Sequence, residues 1–154
     1  MTAGREIERK FLVAEPPSDL GAGTPIRQGY LDLATEGTEL RVRRKGDATV
    51  LTIKTGAGLD RGEREVAIPA DVFDALWPLT EGRRIEKVRF EIPHGDETIE
   101  LDRFEGALDG LLVAEVEFDS TSASERFEAP AWFGRELTGD PAYSNRSLAE
   151  RGRP

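Results

Sequence analysis

The sequence contains no cysteine. That excludes a disulfide framework, a thiolate metal site and a cysteine nucleophile. It has a single histidine, His94, in a Pro93-His94-Gly95-Asp96 stretch that reads as a turn, so this residue is taken as surface rather than as a metal ligand. No apolar run reaches the length of a membrane-crossing helix, and no basic-apolar-small leader is evident, so a cytoplasmic protein is expected. There is no Gly-Lys-Ser/Thr phosphate loop and no nucleophilic serine elbow. Cations are also in short supply: 21 Lys and Arg stand against 30 Asp and Glu, for a formal charge of −9. Such a chain repels nucleic acid. It also repels a polyphosphate unless its cations cluster or a metal intervenes.

The 154 residues are read as one domain, 1–154, with no repeat, low-complexity tract or linker. Loops are expected at 16–23, 35–37, 46–47, 56–58, 94–96 and 108–110, where Gly, Pro, Asp and Ser gather. Between them, apolar residues recur with a period of two. Strands are expected at 4–13, 26–33, 38–45, 49–55, 61–68, 84–93, 97–104 and 111–118. Their tight connections favour antiparallel pairing. Helices are expected at Ala70–Leu76, within Ser122–Gly134 with a break at Pro130, and from Ser144 to Arg151. Trp77, Trp132 and Phe133 are assigned to packing on outer helices. The fold class is α+β, mainly β, and eight strands in one domain suggest a closed or nearly closed barrel.

The charges follow the same period. Glu6, Glu8 and Lys10 share one face of the first strand, with Ile7 and Phe11 on the other. Arg41 pairs with Arg43, Glu63 with Glu65, Lys87 with Arg89, Glu100 with Asp102 and Glu115 with Glu117; Lys54 lies opposite Leu51 and Ile53. A lone E-x-E is an ordinary solvated strand face. Seven such strands, some acidic and some basic and poor in Ser, Thr and Gln, are not. If these faces point inward they line a wet, charged lumen. Clustered carboxylates suit Mg²⁺ or Mn²⁺, and facing Lys and Arg suit phosphate oxygens. Together they meet the needs of phosphoryl transfer to water.

At these residues the sequence resembles the CYTH, or triphosphate tunnel, superfamily. The E-x-E-x-K signature stands as Glu6-Ile7-Glu8-Arg9-Lys10, and the R-x-R, K, E-x-E, K-x-R, E-x-D and E-x-E elements follow in order over nearly the whole chain. The resemblance implies a closed eight-stranded antiparallel tunnel barrel with a few outer helices and a C-terminal plug helix near Tyr143-Ser144-Asn145. It implies that Lys10, Arg41, Arg43, Lys54, Lys87 and Arg89 hold a triphosphate. It implies that Glu6, Glu8, Glu63, Glu65, Asp102, Glu115 and Glu117 supply the metal ligands for Mg²⁺ or Mn²⁺. Lys10, Tyr30, Glu8 and Glu117 are the catalytic candidates. Tyr30 is either a partner of Lys10 or simply a barrel aromatic. Ile99 replaces an aromatic found before E-x-D in many members and should point outward. Lys45 is a rim or turn charge, and Arg151 and Arg153 match no phosphate ligand.

The expected activity is hydrolysis of a linear triphosphate, inorganic tripolyphosphate first. Adenylate cyclase, thiamine or nucleoside triphosphatase activity, and a non-enzymatic polyphosphate- or nucleotide-binding module are the alternatives. The expected partner is a small-molecule triphosphate, with no nucleic acid and no membrane; a homodimer is left open.

Overall fold

Period-two patterning yields strands where it is expected. The computed structural model describes residues 7–33, 37–56 and 62–154. Its elements run β1 (Ile7–Val13), β2 (Thr24–Leu31), β3 (Thr38–Lys45), β4 (Ala48–Thr55), β5 (Gly62–Ala67), α1 (Ala70–Leu76), β6 (Arg84–His94), β7 (Glu97–Phe104), β8 (Leu112–Phe118), α2 (Thr121–Arg126), β9 (Phe133–Glu136) and α3 (Asn145–Arg151). The expected strands and the helix at 70–76 form with small shifts at their ends. Glu6 and parts of the loops at 35–37 and 56–58 lie outside the described residues.

All nine strands join one antiparallel sheet in the order β5-β4-β3-β2-β6-β7-β8-β1-β9. Tight turns set the hairpin registers. Between β3 and β4, Lys45 pairs with Ala48 across Gly46-Asp47, and Gly46 supplies the positive φ of 59° that the reversal needs.

Among the described residues the sheet differs from the expected closed eight-stranded barrel: it has nine strands and its two edge strands are not paired with each other. In the strand order, β1 would be the edge facing β5 were it not for β9. That edge is already taken in part by β9, through Phe11 with Glu136 and Val13 with Phe133. The Leu137 N–H also bonds the Lys10 carbonyl at 2.7 Å. The segment expected to be helical over 122–134 therefore divides. Only α2 is helical, capped by the Ser120 hydroxyl accepting from the Ala123 N–H at 3.0 Å. The chain beyond Pro130 adds a strand instead. Trp132 and Phe133 accordingly lie off any helix, and Trp77 opens a 3₁₀ turn, Trp77–Thr80.

One sheet face is apolar. Val13, Phe90, Ile99, Leu101, Ala114, Val116 and Phe118 form a core under α2 and Phe127, Trp132 and Phe133. Ile99 points to this side, as expected. His94 ends β6 half-buried, its ring 5.7 Å edge-on from that of Phe127. Farther along the same face, Phe73 of α1 is buried and stacks on Trp77 at 5.4 Å. Close packing here requires Gly29. A Cβ on that residue would meet the buried Thr80 side chain at 2.5, 2.6 and 2.8 Å. Thr80 cannot retreat freely, because its hydroxyl donates to the Trp77 carbonyl at 2.7 Å and accepts from Arg84 Nε at 2.9 Å.

Gly29→Ala is therefore expected to lower stability by about 1–3 kcal/mol through overpacking. The measurement is urea unfolding, where the midpoint should fall at an unchanged m-value.

Candidate active site on the charged sheet face

Residues directly opposite in an antiparallel ladder point to the same side. Following the register across the sheet gathers the charged pairs singled out in the sequence on one face. Lys54 is paired with Glu63 and with Glu39, Thr52 with Glu65 and with Arg41, and Arg41 with Tyr30. The same face continues through Arg43 with Gln28, Gln28 with Ile85, and Arg89 with Asp102. It ends with Glu100 opposite Glu115, Glu115 opposite Lys10, and Glu117 opposite Glu8. Every predicted site residue that the structure describes lies on this face. Glu6 lies outside the described residues.

Charge is segregated along it. Lys54, Arg41 and Arg43 form a basic wall on β4 and β3, and Lys87 and Arg89 line β6. Glu100, Asp102, Glu115, Glu117 and Glu8 occupy β7, β8 and β1. Of the predicted acidic set, Glu63 and Glu65 are exposed on β5, at the other end of the strand order from β7, β8 and β1. Glu63 faces Lys54 at 3.9 Å. Among the described residues, no group of three or more carboxylates stands close enough to hold a metal ion unaided.

The middle of the face is an ion cluster. Asp102 is 2% exposed and Lys87 5%. Lys87 Nζ lies 2.7 Å from Asp102 Oδ2. Arg89 grips the same carboxylate with two bonds, Nε to Oδ1 at 2.8 Å and Nη2 to Oδ2 at 2.9 Å. Arg89 also reaches Glu100 at 3.0 Å and Glu115 at 3.6 Å. Burial alone would raise the Asp102 pKa, but Lys87 and then Arg89 outweigh it and hold the carboxyl below its ordinary value. Glu100 has weaker compensation, and burial pushes its carboxyl up. Asp102, expected to be a metal ligand, is here in contact with the buried Lys87 and the largely covered Arg89.

Arg41 and Arg43 have no such counter-ion bond at Nε. Both Nε atoms are buried and find no acceptor in the protein. Burial, then Arg89 and Arg41, lower the Arg43 pKa. A positive charge is therefore held where the protein compensates it poorly, which is the electrostatic signature of a place for an anion.

The terminal segment covers one end of the face. Tyr30, Ile85, Phe104, Val113, Tyr143 and Leu148 belong to an apolar cluster beneath α3. Lys10 Nζ donates to the Tyr143 carbonyl at 3.1 Å and lies 3.5 Å from Glu115. Arg146 of α3 spans to Glu39 of β3 at 2.9 Å. A plug helix at this position is as expected. Lys10 and Tyr30 do not pair with each other: Lys10 is engaged by Tyr143 and Glu115, and the Tyr30 hydroxyl accepts from Gln28 Nε2 at 2.8 Å. Sequence reasoning missed Gln28, Glu39 and Arg146. The odd-even register of β2 and β3 was a usable signal for the first two. Arg146 carried none, since its role depends on where α3 docks.

The sheet thus carries one charged face, mainly basic on β3 and β4 and mainly acidic on β7, β8 and β1, with a helix over one end. The CYTH domain family matches residues 4–152, and the chain belongs to it. It is 47% identical over 146 residues to an inorganic triphosphatase of Nitrosomonas europaea, covering 94% of this chain and 96% of that protein. It is 39% identical over 150 residues to an inorganic triphosphatase of Acetivibrio thermocellus, covering 96% and 94%. A crystal structure of an inorganic triphosphatase superposes with a TM-score of 0.81 at 43% identity, covering 97% of each chain.

Asp102→Asn leaves two buried cations short of a counter-ion, and the expected loss is about 3–5 kcal/mol at neutral pH by urea unfolding. The pH dependence follows from the depressed Asp102 pKa. Its contribution is fully present above the unfolded Asp value of about 3.9 and is lost as pH falls through the lower folded value. The acid-side slope of stability should therefore be shallower in the variant than in the wild type.

Proposed function

We propose that this chain is a divalent-metal-dependent hydrolase of a linear triphosphate, with inorganic tripolyphosphate as the first substrate to test. The carrying observation is the pair of buried, acceptor-less Nε atoms on Arg41 and Arg43, on the basic wall opposite the acidic strands. Each unsatisfied donor costs about 1–3 kcal/mol, which a bound phosphate oxygen would recover. Lys54, Lys87, Arg89 and Lys10 lie on the same face and extend that clamp. The names of the Nitrosomonas and Acetivibrio relatives support the same substrate class.

The acidic strands fit a hard divalent cation. Glu8 stands directly opposite Glu117, whereas Glu100 and Glu115, also opposite each other, are already bridged by Arg89. Like charges in direct register are destabilising unless something lies between them. Mg²⁺ is commonly held by one or two carboxylates together with substrate phosphates, so a ready-made cage of three is not required. Glu8 and Glu117, with Glu115 beside them, are the proposed ligands for Mg²⁺ or Mn²⁺; when bound, the ion supplies charge neutralisation at the phosphoryl oxygens. Arg41 and Arg43 bind and orient the triphosphate, and Tyr30 donates a hydrogen bond to it. Water adds to the terminal phosphorus as the bridging P–O bond breaks, giving phosphate and pyrophosphate. The proton of the water passes to a carboxylate of the Glu8–Glu117 group.

The test is phosphate release from tripolyphosphate, pyrophosphate, ATP and thiamine triphosphate with Mg²⁺ or Mn²⁺ and with chelator, and cyclic AMP measured in the ATP sample. Metal-dependent release from tripolyphosphate is expected. Release from none of the four would sink the proposal, and cyclic AMP as the main product would replace it with a cyclase. Arg43→Ala should lower kcat/KM by about 10–100-fold, as expected for a charged hydrogen bond worth about 1.5–3 kcal/mol.

A further inference from the structure

Gln28 is an uncharged polar residue in the middle of the charged face, and it is 4% exposed. It lies on β2 opposite Arg43 of β3 and Ile85 of β6. Its Nε2 donates to the Tyr30 hydroxyl at 2.8 Å. Tyr30 is 2% exposed, and its ring is packed in the apolar cluster with Ile85, Phe104 and Leu148, so it has little freedom to swing.

A phenol has one proton to give and two lone pairs to offer. The Gln28 amide occupies one lone pair, so the phenolic proton cannot point at Gln28. It is left for an acceptor elsewhere. Tyr30 is opposite Arg41, and Arg41 and Arg43 carry the two buried Nε atoms without acceptors. An anion drawn to those donors would also present an oxygen to the Tyr30 hydroxyl. Burial raises the Tyr30 pKa, which keeps the phenol protonated and able to donate.

We propose that Gln28 is a positioning residue: its amide orients the Tyr30 hydroxyl to donate to a phosphate oxygen of the triphosphate held by Arg41 and Arg43. This inference rests on the triphosphatase reading above. Gln28 acts through Tyr30 and need not touch the substrate. An amide serves better than a carboxylate here, because Glu at position 28 would accept the phenolic proton and turn it away from the substrate.

The experiment compares wild type with Gln28→Leu, Gln28→Glu, Tyr30→Phe and the double variant Gln28→Leu/Tyr30→Phe. On tripolyphosphate, Gln28→Leu should lower kcat about 3–10-fold with little change in KM, as for loss of one neutral hydrogen bond. Gln28→Glu should lose more. The double variant should be no slower than Tyr30→Phe, because both substitutions remove one interaction. A second readout does not need turnover. The chain has two tyrosines, so ultraviolet titration resolves Tyr30 once Tyr30→Phe identifies it. Tyr30 should ionise at higher pH in Gln28→Leu, which has lost a donor to the phenolate. Gln28→Glu is near-isosteric and keeps both readouts available if Gln28→Leu fails to fold. Losses that multiply in the double variant, or an unchanged Tyr30 titration, would overturn the proposal. A wild type that releases no phosphate would end the triphosphatase reading, while the titration still judges the Gln28–Tyr30 coupling.

Discussion

The charged face depends on one carboxylate. Asp102 is buried and receives three contacts of 2.7–2.9 Å from Lys87 and Arg89. Several kcal/mol per ion is the usual penalty for taking such groups out of water, and attraction repays it only when the geometry satisfies both partners. Here the two-bond grip of Arg89 and the close ammonium of Lys87 satisfy Asp102 from both sides. With that centre in place, the flanking strands can carry charge mainly of one sign, with Lys10 on β1 and Glu39 on β3 as exceptions. Basic residues gather toward β3 and acidic residues toward β1, each side partly balanced by the Lys87–Asp102–Arg89 cluster between them.

That division also resolves the contradiction between a net charge of −9 and a polyanionic substrate. Global charge sets the long-range field, but recognition is decided where cations are concentrated and poorly hydrated. Arg41 and Arg43 are such cations. Their buried Nε atoms lack acceptors, whereas Arg89 has three carboxylates in reach. Two arginine groups separated by one strand, β2, thus have different tasks. One is spent on holding the sheet face together, and the other is left open for an anion.

Much of the charged face was legible in the sequence because strand periodicity is strict. Once Glu8 and Lys10, or Lys87 and Arg89, are placed two apart, they must share a side, and the hairpin turns then align neighbouring strands. Ile99 pointing to the apolar core and α1 at 70–76 were legible for the same kind of reason. Closure was not. It depends on which strand claims the free edge of β1, and the short run Phe133–Glu136 gave no alternating pattern long enough to reveal a strand. The specific bonds of Asp102 and Gln28 were equally hidden. An E-x-D motif shows that two acidic residues share a face, but not that buried cations on the neighbouring strand will occupy one of them.

The open sheet alters the energetics of the site. In a dry closed lumen, every carboxylate on the face would need a partner. In the described structure Glu8, Glu63, Glu65 and Glu117 are exposed to water, so their desolvation penalty is small. Charge on β5 also has a negative role: Glu63, Arg64 and Glu65 discourage an exposed edge strand from recruiting another chain. The costly burial that ion contacts offset is centred on Lys87, Asp102 and Arg89, while the buried Nε atoms of Arg41 and Arg43 remain without an acceptor. A face built this way is rigid at its centre and hydrated at its acidic margin. Those are different requirements: fixed donors recognise a phosphate, whereas hydrated carboxylates can exchange water for a divalent cation without first breaking a buried ion pair.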